Sequence, residues 1–306
     1  MKYKRHPIRR FFSWVLALAL IVSALGYFAI YQAAGKMDVK ELDSQTAAAI
    51  KAPPKGGARV TNILLLGADG KTTAGQRADT MLLLSLDKTH KKLKLASFLR
   101  DSWVKFPDGS SNKLNAAAAL GGAPLAMRVV SENFDIRIDH YILLNFEGFK
   151  EIVDALGGVR VDVTKEEAAF INRTASSQKG QFPAGERVKL DGRQALIYVR
   201  IRKLDSDFMR TQRQRKVLSA IIAACKANPA RLIGVLQKGL AALETDMTQA
   251  QTASLGLLAP FYLRYETDQF AVPAEHTWNY GKKRGGAVVT LDVEENARLL
   301  RRFVYE

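Results

Sequence analysis

The chain has 306 residues, of which 46 are Lys or Arg and 30 are Asp or Glu, so its formal net charge is +16 at pH 7. Its single cysteine, Cys225, excludes an intramolecular disulfide. The sequence has no GxSxG, P-loop or HExxH motif, which argues against the enzyme classes defined by them. The positive charge indicates either anionic partners or a generally cationic, solvated surface.

The first 34 residues predict a membrane anchor. Residues 1–10 (MKYKRHPIRR) are rich in Lys and Arg and contain no acid, and an apolar run follows at Phe11–Ala34. That run can cross a bilayer core of about 30 Å as a helix. Because basic flanks stay in the cytoplasm, we predict a cytoplasmic tail (1–10), a transmembrane helix (11–34) and an extracellular remainder on a single-pass cell-membrane protein.

The alternative for the same segment is a cleaved signal peptide, with small residues near Ala33–Gly35 as the cleavage site. Both interpretations place the rest of the chain outside the membrane. An exported protein without disulfides is typical of a bacterial surface that does not rely on oxidative folding. A cytoplasmic portion of about ten residues is too small for a folded DNA reader, so we expect no nucleic-acid partner.

Residues 35–60 are predicted to form a stalk and linker, since Pro53-Pro54 and Gly56-Gly57 interrupt regular structure. Residues 61–306 are predicted to form one domain. Apolar runs predict strands at Asn62–Leu66, Met81–Asp87 and Leu93–Leu99, the last two as a hairpin.

Short strands and helices alternate farther along the chain. The predicted strands are Tyr141–Leu144, Val159–Val163, Phe270–Pro273 and Val288–Leu291. The predicted helices are Lys113–Phe134 (interrupted near Gly121-Gly122), Phe146–Leu156, Asp191–Ile201, Asp207–Ala227, Leu232–Leu243, Gln249–Leu258 and Glu294–Val304. Polar, glycine-containing Arg173–Lys189 is predicted as a loop. The pattern predicts an α/β fold with a mixed central β-sheet and helices on both faces, preceded by one N-terminal transmembrane helix.

Charged residues cluster at the ends of the first three apolar strands. Asp69 follows the first, Arg77 and Asp79 precede the second, and Arg100-Asp101 follows the third. The end of a buried strand holds a functional group rigidly. The alternative is that these are ordinary capping and turn residues.

Four arginines form a second cluster: Arg200, Arg202, Arg210 and Arg213. On a helix beginning near Asp207, Arg210, Arg213 and Gln214 share a face that apolar residues extend toward the core. Guanidinium groups suit carboxylate or phosphate oxygens in paired geometry. The alternative is salt bridging to nearby acids, namely Asp191, Asp205 and Asp207.

Arginines with aspartates, and no nucleophile, indicate a site for a phosphorylated substrate. Carboxylates hold a hard divalent cation such as Mg²⁺, which bridges phosphate oxygens. Arginines neutralise the charge of the transferring phosphoryl group, so no covalent residue is required.

The chain resembles the LytR-CpsA-Psr family of bacterial cell-wall glycopolymer ligases from about Asn62 to the end, together with the preceding anchor. The resemblance rests on ordered blocks: NILLLGAD, RADTMLLLSLD, LASFLRDSWV, KLNAAAALGG, IDHYILLNFEGFKEIVDALGGVRVDV and LDGRQALIYVRIRKLDSDFMRTQRQRKVLSA. Two positions depart from the family pattern. Gly70-Lys71 occurs where the family commonly has an arginine, and Leu99 occurs where it usually has a proline.

The resemblance implies a phosphotransferase that moves a glycopolymer, such as teichoic acid or capsule, from an undecaprenyl-pyrophosphate carrier to peptidoglycan. It implies Mg²⁺ ligation by Asp69 and Asp79, and catalysis by Asp79, Arg100 and Arg202. The implied pyrophosphate-binding residues are Arg100, Arg200, Arg202, Arg210 and Gln214. The apolar sheet and helices would hold the prenyl chain. Alternatives are a polyprenyl-pyrophosphate hydrolase and a non-catalytic protein that binds wall polymer.

Overall fold

The computed structural model describes residues 7–50, 59–68, 75, 77–175, 182–202, 204–228 and 231–306, without the side chains of 7–19, 45, 49, 175 and 233. The side chains of the predicted tail 1–10 and of residues 11–19 of the predicted span 11–34 are therefore not described, and Asp69 lies outside the described residues altogether. Among the described residues, no helix is both long and apolar enough to cross a membrane.

Strands and helices alternate along most of the described chain. The strands are β1 (Asp38–Val39), β2 (Val60–Ala68), β3 (Thr80–Asp87), β4 (Lys92–Phe98), β5 (Trp103–Lys105), β6 (Ser111–Lys113), β7 (His140–Asn145), β8 (Val159–Val163), β9 (Gly185–Leu190), β10 (Leu243–Thr245), β11 (Glu266–Val272), β12 (Trp278–Lys283) and β13 (Gly286–Leu291). The helices are α1 (Pro7–Ala34), α2 (Ser44–Ile50), α3 (Ala116–Phe134), α4 (Phe146–Ala155), α5 (Lys165–Ala175), α6 (Gly192–Val199), α7 (Asp207–Ala227), α8 (Arg231–Leu240), α9 (Gln249–Tyr262) and α10 (Val293–Tyr305).

The central sheet of the described chain has seven strands in the order β1-β10-β7-β2-β3-β4-β11. Strand β3 runs antiparallel to both β2 and β4, whereas β7 is parallel to β2 and β11 is parallel to β4. The sheet is therefore mixed, and the predicted hairpin is present as β3–β4. Three small two-stranded sheets accompany it, formed by β5–β6, β8–β9 and β12–β13.

Helices cover both faces of this sheet, as predicted. Side chains of one face, such as Met81 and Leu83 of β3, join a buried core with α3 and α10. Alternate residues, such as Leu82 and Leu84, point to the opposite face, where α4, α6 and α7 lie. A sheet buried on both faces explains why its strands read as nearly continuous apolar runs.

The long helix α3 is kinked where the sequence predicts an interruption. Gly121 and Gly122 have non-helical dihedral angles, and the φ of Gly122 is +69°, a value that favours glycine. Pro124 follows in the first turn of the continued helix, where its missing N–H costs little. The start of α3 lies close to the end of β4, because Asn115 N donates a hydrogen bond to Arg100 O at 3.0 Å.

The largest differences from the sequence-based expectations lie in two segments. The prediction of a loop over Arg173–Lys189 is wrong at both ends, because α5 extends to Ala175, and β9 begins at Gly185 and pairs with β8. Most of β9 faces solvent, so no apolar pattern marks it. The region predicted as stalk and linker contains β1, which joins the central sheet, and α2, whose Ile50 is buried in the core.

Candidate functional site

The hairpin β3–β4 brings the first two predicted site residues together. Because these strands are antiparallel, the start of β3 lies beside the end of β4, with Leu82 opposite Ser97. Asp79 precedes β3 and Arg100 follows β4, so their side chains meet at one edge of the sheet. Arg100 Nη1 lies 2.7 Å from Asp79 Oδ1.

Arg100 is surrounded by carboxylates. Its Nε lies 3.2 Å from Asp207 Oδ2 and 3.3 Å from Asp101 Oδ2. Lys113 Nζ lies 2.8 Å from the other oxygen of Asp101. Burial acts to lower the pKa of Arg100, but the hydrogen bond to Asp79 and the charges of Asp207, Asp79 and Asp101 outweigh it and raise that pKa. Arg100 is therefore a fixed cation at this edge.

Helix α7 delivers a second arginine to the same place. The Ser206 hydroxyl accepts a hydrogen bond from Met209 N and caps the helix, so Arg210 lies one turn inside. Arg210 is only 2% exposed, and its Nη2 donates to the backbone oxygen of Asp79 at 3.2 Å. Its Nη1 lies 3.2 Å from Asp207 Oδ1.

The Arg210 guanidinium has incomplete hydrogen bonding. Within the described chain, its buried Nε and Nη1 donate no hydrogen bond. Burial lowers the pKa of Arg210, because a desolvated cation is disfavoured. Leaving a buried donor unpaired costs about 1–3 kcal/mol. An anion that accepts from these two nitrogens would remove that penalty.

Two cavities of different character adjoin at the start of β3. The first is an open polar pocket of about 780 Å³, lined by Gly75, Arg77, Asp79, Arg100, Asp101, Lys113, Asn115, Arg202 and Ala287. The second is an apolar cavity of about 210 Å³ between the sheet and α4, α6 and α7. Thr80, next to Asp79, lines the second, together with Gln214 and leucines of β2, β3 and β7. Such a pair of cavities suits a ligand with an anionic head and an apolar tail.

The predicted site residues fall into three groups. Asp79, Arg100 and Arg202 line the polar pocket, with Arg210 buried beside Asp79. Gln214 lines the apolar cavity. Arg200 is outside the polar pocket, and its guanidinium stacks 4.4 Å from the ring centre of Phe146, which borders the apolar cavity. The functional roles assigned to all of these residues stay predictions.

Sequence reasoning misses part of this arrangement. It treats Asp207 only as a salt-bridge partner, yet this residue contacts both Arg100 and Arg210. It assigns no role to Lys113, although this lysine lines the pocket. The sequence predicts Lys113 as the first residue of a helix, Lys113–Phe134. In the structure Lys113 ends β6, and the helix begins at Ala116.

For Arg213 the alternative interpretation is correct. Its Nε donates to Glu167 Oε1 at 2.7 Å, and its Nη1 donates to Asp205 Oδ1 at 3.1 Å. Nη1 also lies 3.3 Å from the backbone oxygen of Ile201. Arg213 is therefore a paired core residue and faces away from the polar pocket.

No cluster of three or more His, Cys, Asp or Glu side chains able to hold a metal occurs among the described residues. Of the two predicted Mg²⁺ ligands, only Asp79 belongs to the described part of the chain, where its carboxylate is 48% exposed at the pocket.

Comparison with known proteins identifies the family of the chain. The model of the LytR_cpsA_psr family matches residues 25–297. The chain belongs to this family. Its relatives include TagT of Bacillus subtilis strain 168, named polyisoprenyl-teichoic acid–peptidoglycan teichoic acid transferase, which is 37% identical over 172 residues (54% of this chain and 53% of TagT). TagU of Enterococcus faecalis strain V583 is 35% identical over 224 residues, 69% of this chain and 68% of TagU. The chain spans about half the length of the first of these relatives.

The fold agrees with solved structures of LytR-CpsA-Psr proteins. The structure of YwtF (TagT) with bound octaprenyl pyrophosphate lipid matches with a TM-score of 0.66 and 26% identity, covering 87% of this chain and 98% of that one. The family assignment predicted from the ordered sequence blocks is thus confirmed.

Proposed function

We propose that this LytR-CpsA-Psr protein transfers a glycopolymer, such as teichoic acid, capsule or a related anionic polymer, from an undecaprenyl-pyrophosphate carrier to peptidoglycan. The observation that carries the proposal is Arg210, whose buried Nε and Nη1 donate no hydrogen bond among the described residues and lie beside Asp79, where the polar and apolar cavities adjoin. A lipid pyrophosphate has the matching form, because its head is anionic and its tail is apolar. The names of TagT and TagU, and the prenyl pyrophosphate bound to YwtF, support the same substrate class.

The reaction is a phosphoryl transfer. A sugar hydroxyl of peptidoglycan attacks the phosphorus nearer the glycopolymer, and the bond from that phosphorus to the bridging oxygen breaks. Undecaprenyl phosphate leaves with the electron pair, and the hydroxyl proton passes to a carboxylate that borders the pocket, either Asp79 or its neighbour Asp101. Arg100, Arg202 and Arg210 stabilise the charge that develops on the phosphate oxygens.

The cofactor in this proposal is Mg²⁺, held by Asp79 together with Asp69. Mg²⁺ commonly uses one or two protein carboxylates and completes its shell with water and substrate phosphate oxygens, so two aspartates are a sufficient donor set. When bound, it would neutralise part of the negative charge of the pyrophosphate.

The location in this proposal is the outer face of the cell membrane. The apolar run Phe11–Ala34 serves as a single transmembrane helix with the basic residues 1–10 in the cytoplasm. Residues Leu20–Leu25 of α1 are all exposed, which supports a lipid environment for them. The domain then stays near a substrate that cannot leave the bilayer.

The test uses the full chain in liposomes with lipid-linked polymer, peptidoglycan fragments and Mg²⁺. We expect a phosphodiester between polymer and peptidoglycan, and its loss in Arg100→Ala and Arg202→Ala. Arg298→Ala, on the exposed face of α10, is the matched control and should retain activity. Transfer of the polymer to water instead of peptidoglycan would indicate a hydrolase. Lipid that binds but stays unchanged would indicate a binding protein. Full transfer activity in both pocket variants would refute the site assignment.

A further inference from the structure

The second half of α1 lies antiparallel against α9. A methyl group added at Gly35 would lie 3.1 Å from Gln249 Nε2, near the start of α9. One added at Gly26 would lie 3.6 Å from Leu257 Cδ1, eight residues farther along α9. The C-terminal end of α9 therefore points back toward the N-terminus of α1.

This packing overlaps with the predicted membrane span. All side chains from Leu20 to Leu25 are exposed, and contact with the domain begins at Gly26. Residues 11–25, the part of the apolar run that precedes this contact, measure about 22 Å as a helix. The hydrocarbon core is about 30 Å thick. If α1 spans the bilayer, as the proposed function requires, the adjoining end of the domain must enter the outer leaflet.

The side chains at that end of α9 suit such a position. Leu258 and Phe261 are large apolar residues that are 46% and 55% exposed. Phe261 is four residues beyond Leu257, about 6 Å closer to the membrane. Its ring centre lies 6.0 Å from Tyr262, and Lys88 Nζ lies 5.9 Å from the centre of the Tyr262 ring. Aromatic rings with neighbouring lysines are typical of the headgroup level.

A cationic cleft lies at the same end of the domain. Helix α8 begins at Arg231, and its other end leads into β10. Because β10 pairs with β1, which directly follows the C-terminal end of α1, that other end lies away from the membrane. Arg231 is therefore at the end of α8 nearer the membrane. Arg231 lines a cleft of about 500 Å³ together with Arg160, Arg187 and Lys189. Within a Debye length of an anionic leaflet, Lys and Arg side chains are attracted to the headgroups.

We infer that this end of the domain is a membrane-docking surface for an anionic lipid leaflet, with Leu258 and Phe261 inserted and the cleft of Arg160, Arg187, Lys189 and Arg231 against the headgroups. We call it the basal surface. The turn after β3 carries Lys88 at this surface, whereas Asp79 precedes the other end of the strand. A strand of eight residues rises about 26 Å. Docking therefore fixes the height at which the pocket holds the pyrophosphate.

The test is tryptophan quenching in vesicles that contain brominated phosphatidylcholine and phosphatidylglycerol. Trp14, which lies in the predicted span, reports insertion of α1 in a chain whose other two tryptophans, Trp103 and Trp278, are replaced by Phe. For the basal surface, Phe261→Trp is compared with Leu120→Trp, both in a background in which all three native tryptophans are replaced by Phe. Leu120 is 67% exposed on α3, near the pocket end of the domain. We expect at least twofold stronger quenching of the tryptophan at 261 than of the one at 120.

The outcomes separate this inference from the anchor. Quenching of Trp14 without quenching at 261 overturns the basal surface and leaves the anchor intact. Absence of quenching at both positions overturns the anchor and the docking inference together. Circular dichroism of each variant shows that the fold is retained.

A second measurement tests the cationic cleft. In the Phe261→Trp chain, quenching should increase with the fraction of phosphatidylglycerol. Replacing Arg160 and Lys189 by alanine should halve that increase or more, whereas replacing the exposed Lys282 and Lys283 of β12 should not. An equal response of both double variants would overturn the role of the cleft.

Discussion

Arg210 and Arg213 are one turn apart on α7, and each is 2% exposed. Arg213 is paired with Glu167 and Asp205, which raise its pKa against the lowering effect of burial. Arg210 keeps two buried nitrogens without a hydrogen bond in the described chain, and burial lowers its pKa. The same residue type at the same depth is thus a completed structural contact at one position and an incomplete one at the other.

The difference separates a stabilising charge from a ligand-binding charge. The folded protein supplies carboxylate partners for Arg213, so removing Arg213 should lower the stability. Among the described residues it leaves two nitrogens of Arg210 without a hydrogen bond, and a bound anion would offset the free-energy cost of that arrangement. Both residues can be altered to test this distinction.

The largest expected effect is on stability at Arg213. Arg213→Ala should lower the free energy of unfolding by about 3–5 kcal/mol, because Glu167 and Asp205 would lose their buried partner. Urea denaturation of the full chain in detergent micelles, followed by circular dichroism, measures it. Arg210→Met is the matched control and should leave the free energy unchanged or raise it. Equal destabilisation by the two variants would contradict the distinction between a structural Arg213 and a ligand-binding Arg210.

The next effect is on activity at Arg210. Arg210→Met should slow polymer transfer by about 10²–10³-fold, the cost of one lost transition-state donor. Arg210→Lys should recover only part of it, because an ammonium cannot replace the planar fork. Transfer rates at saturating lipid, measured in liposomes, provide the test. Wild-type rates in Arg210→Met would show that the unpaired nitrogens do not serve the reaction.

The larger elements of the fold are predictable because burial leaves a pattern in the sequence. β2 and β3 are apolar along their length since helices cover both faces of the sheet, and the predicted bounds of α7, Asp207 and Ala227, match the structure. β10 has only three residues and β9 is mostly exposed, so neither carries a periodic signal. Both depend on pairing with distant partners, which a local pattern does not contain.

The site is predictable to a similar extent. Asp79 and Arg100 flank the two strands of a hairpin, so the chain order alone brings them close. The separate fates of Arg210 and Arg213 are not predictable, because Glu167 comes from α5, 46 residues earlier than Arg213. The contact of Arg200 with Phe146 is not predictable either, because it depends on where α6 ends; the role of Arg200 at the pyrophosphate stays a prediction.

A smaller effect extends the comparison to the two ends of β3. Asp79 faces an open pocket, whereas Asp87 is buried and fully engaged. Burial acts to raise the pKa of Asp87, but hydrogen bonds from the His90 backbone and ring, and from Lys94, lower it to about 2. Because this value is below the unfolded one, the contribution is present above about pH 4 and is lost as the pH falls toward 2.

The measurement for Asp87 is the free energy of unfolding between pH 5 and pH 2. The wild type should lose on the order of 1–2 kcal/mol more than Asp87→Asn over this interval. Glu294→Gln, which changes an exposed carboxylate at the start of α10, should follow the wild type. A wild-type curve that parallels that of Asp87→Asn would contradict the assignment.

The smallest effect concerns Arg200 and Arg202. Outside the core, these two arginines also differ in whether they face the polar pocket or make a contact elsewhere. Arg202 lines the polar pocket, whereas Arg200 lies over Phe146 at the border of the apolar cavity. A cation–π contact at an exposed site contributes about 0.5–1 kcal/mol, so Arg200→Ala should weaken lipid binding about two- to five-fold. It should act on the Michaelis constant for the lipid and leave the turnover number unchanged, since Arg200 holds a wall of the cavity. Arg202→Ala should lower turnover instead. If Arg200→Ala lowers turnover as much as Arg202→Ala, this prediction is wrong. Arg200 would then leave Phe146 and contact the pyrophosphate during the reaction.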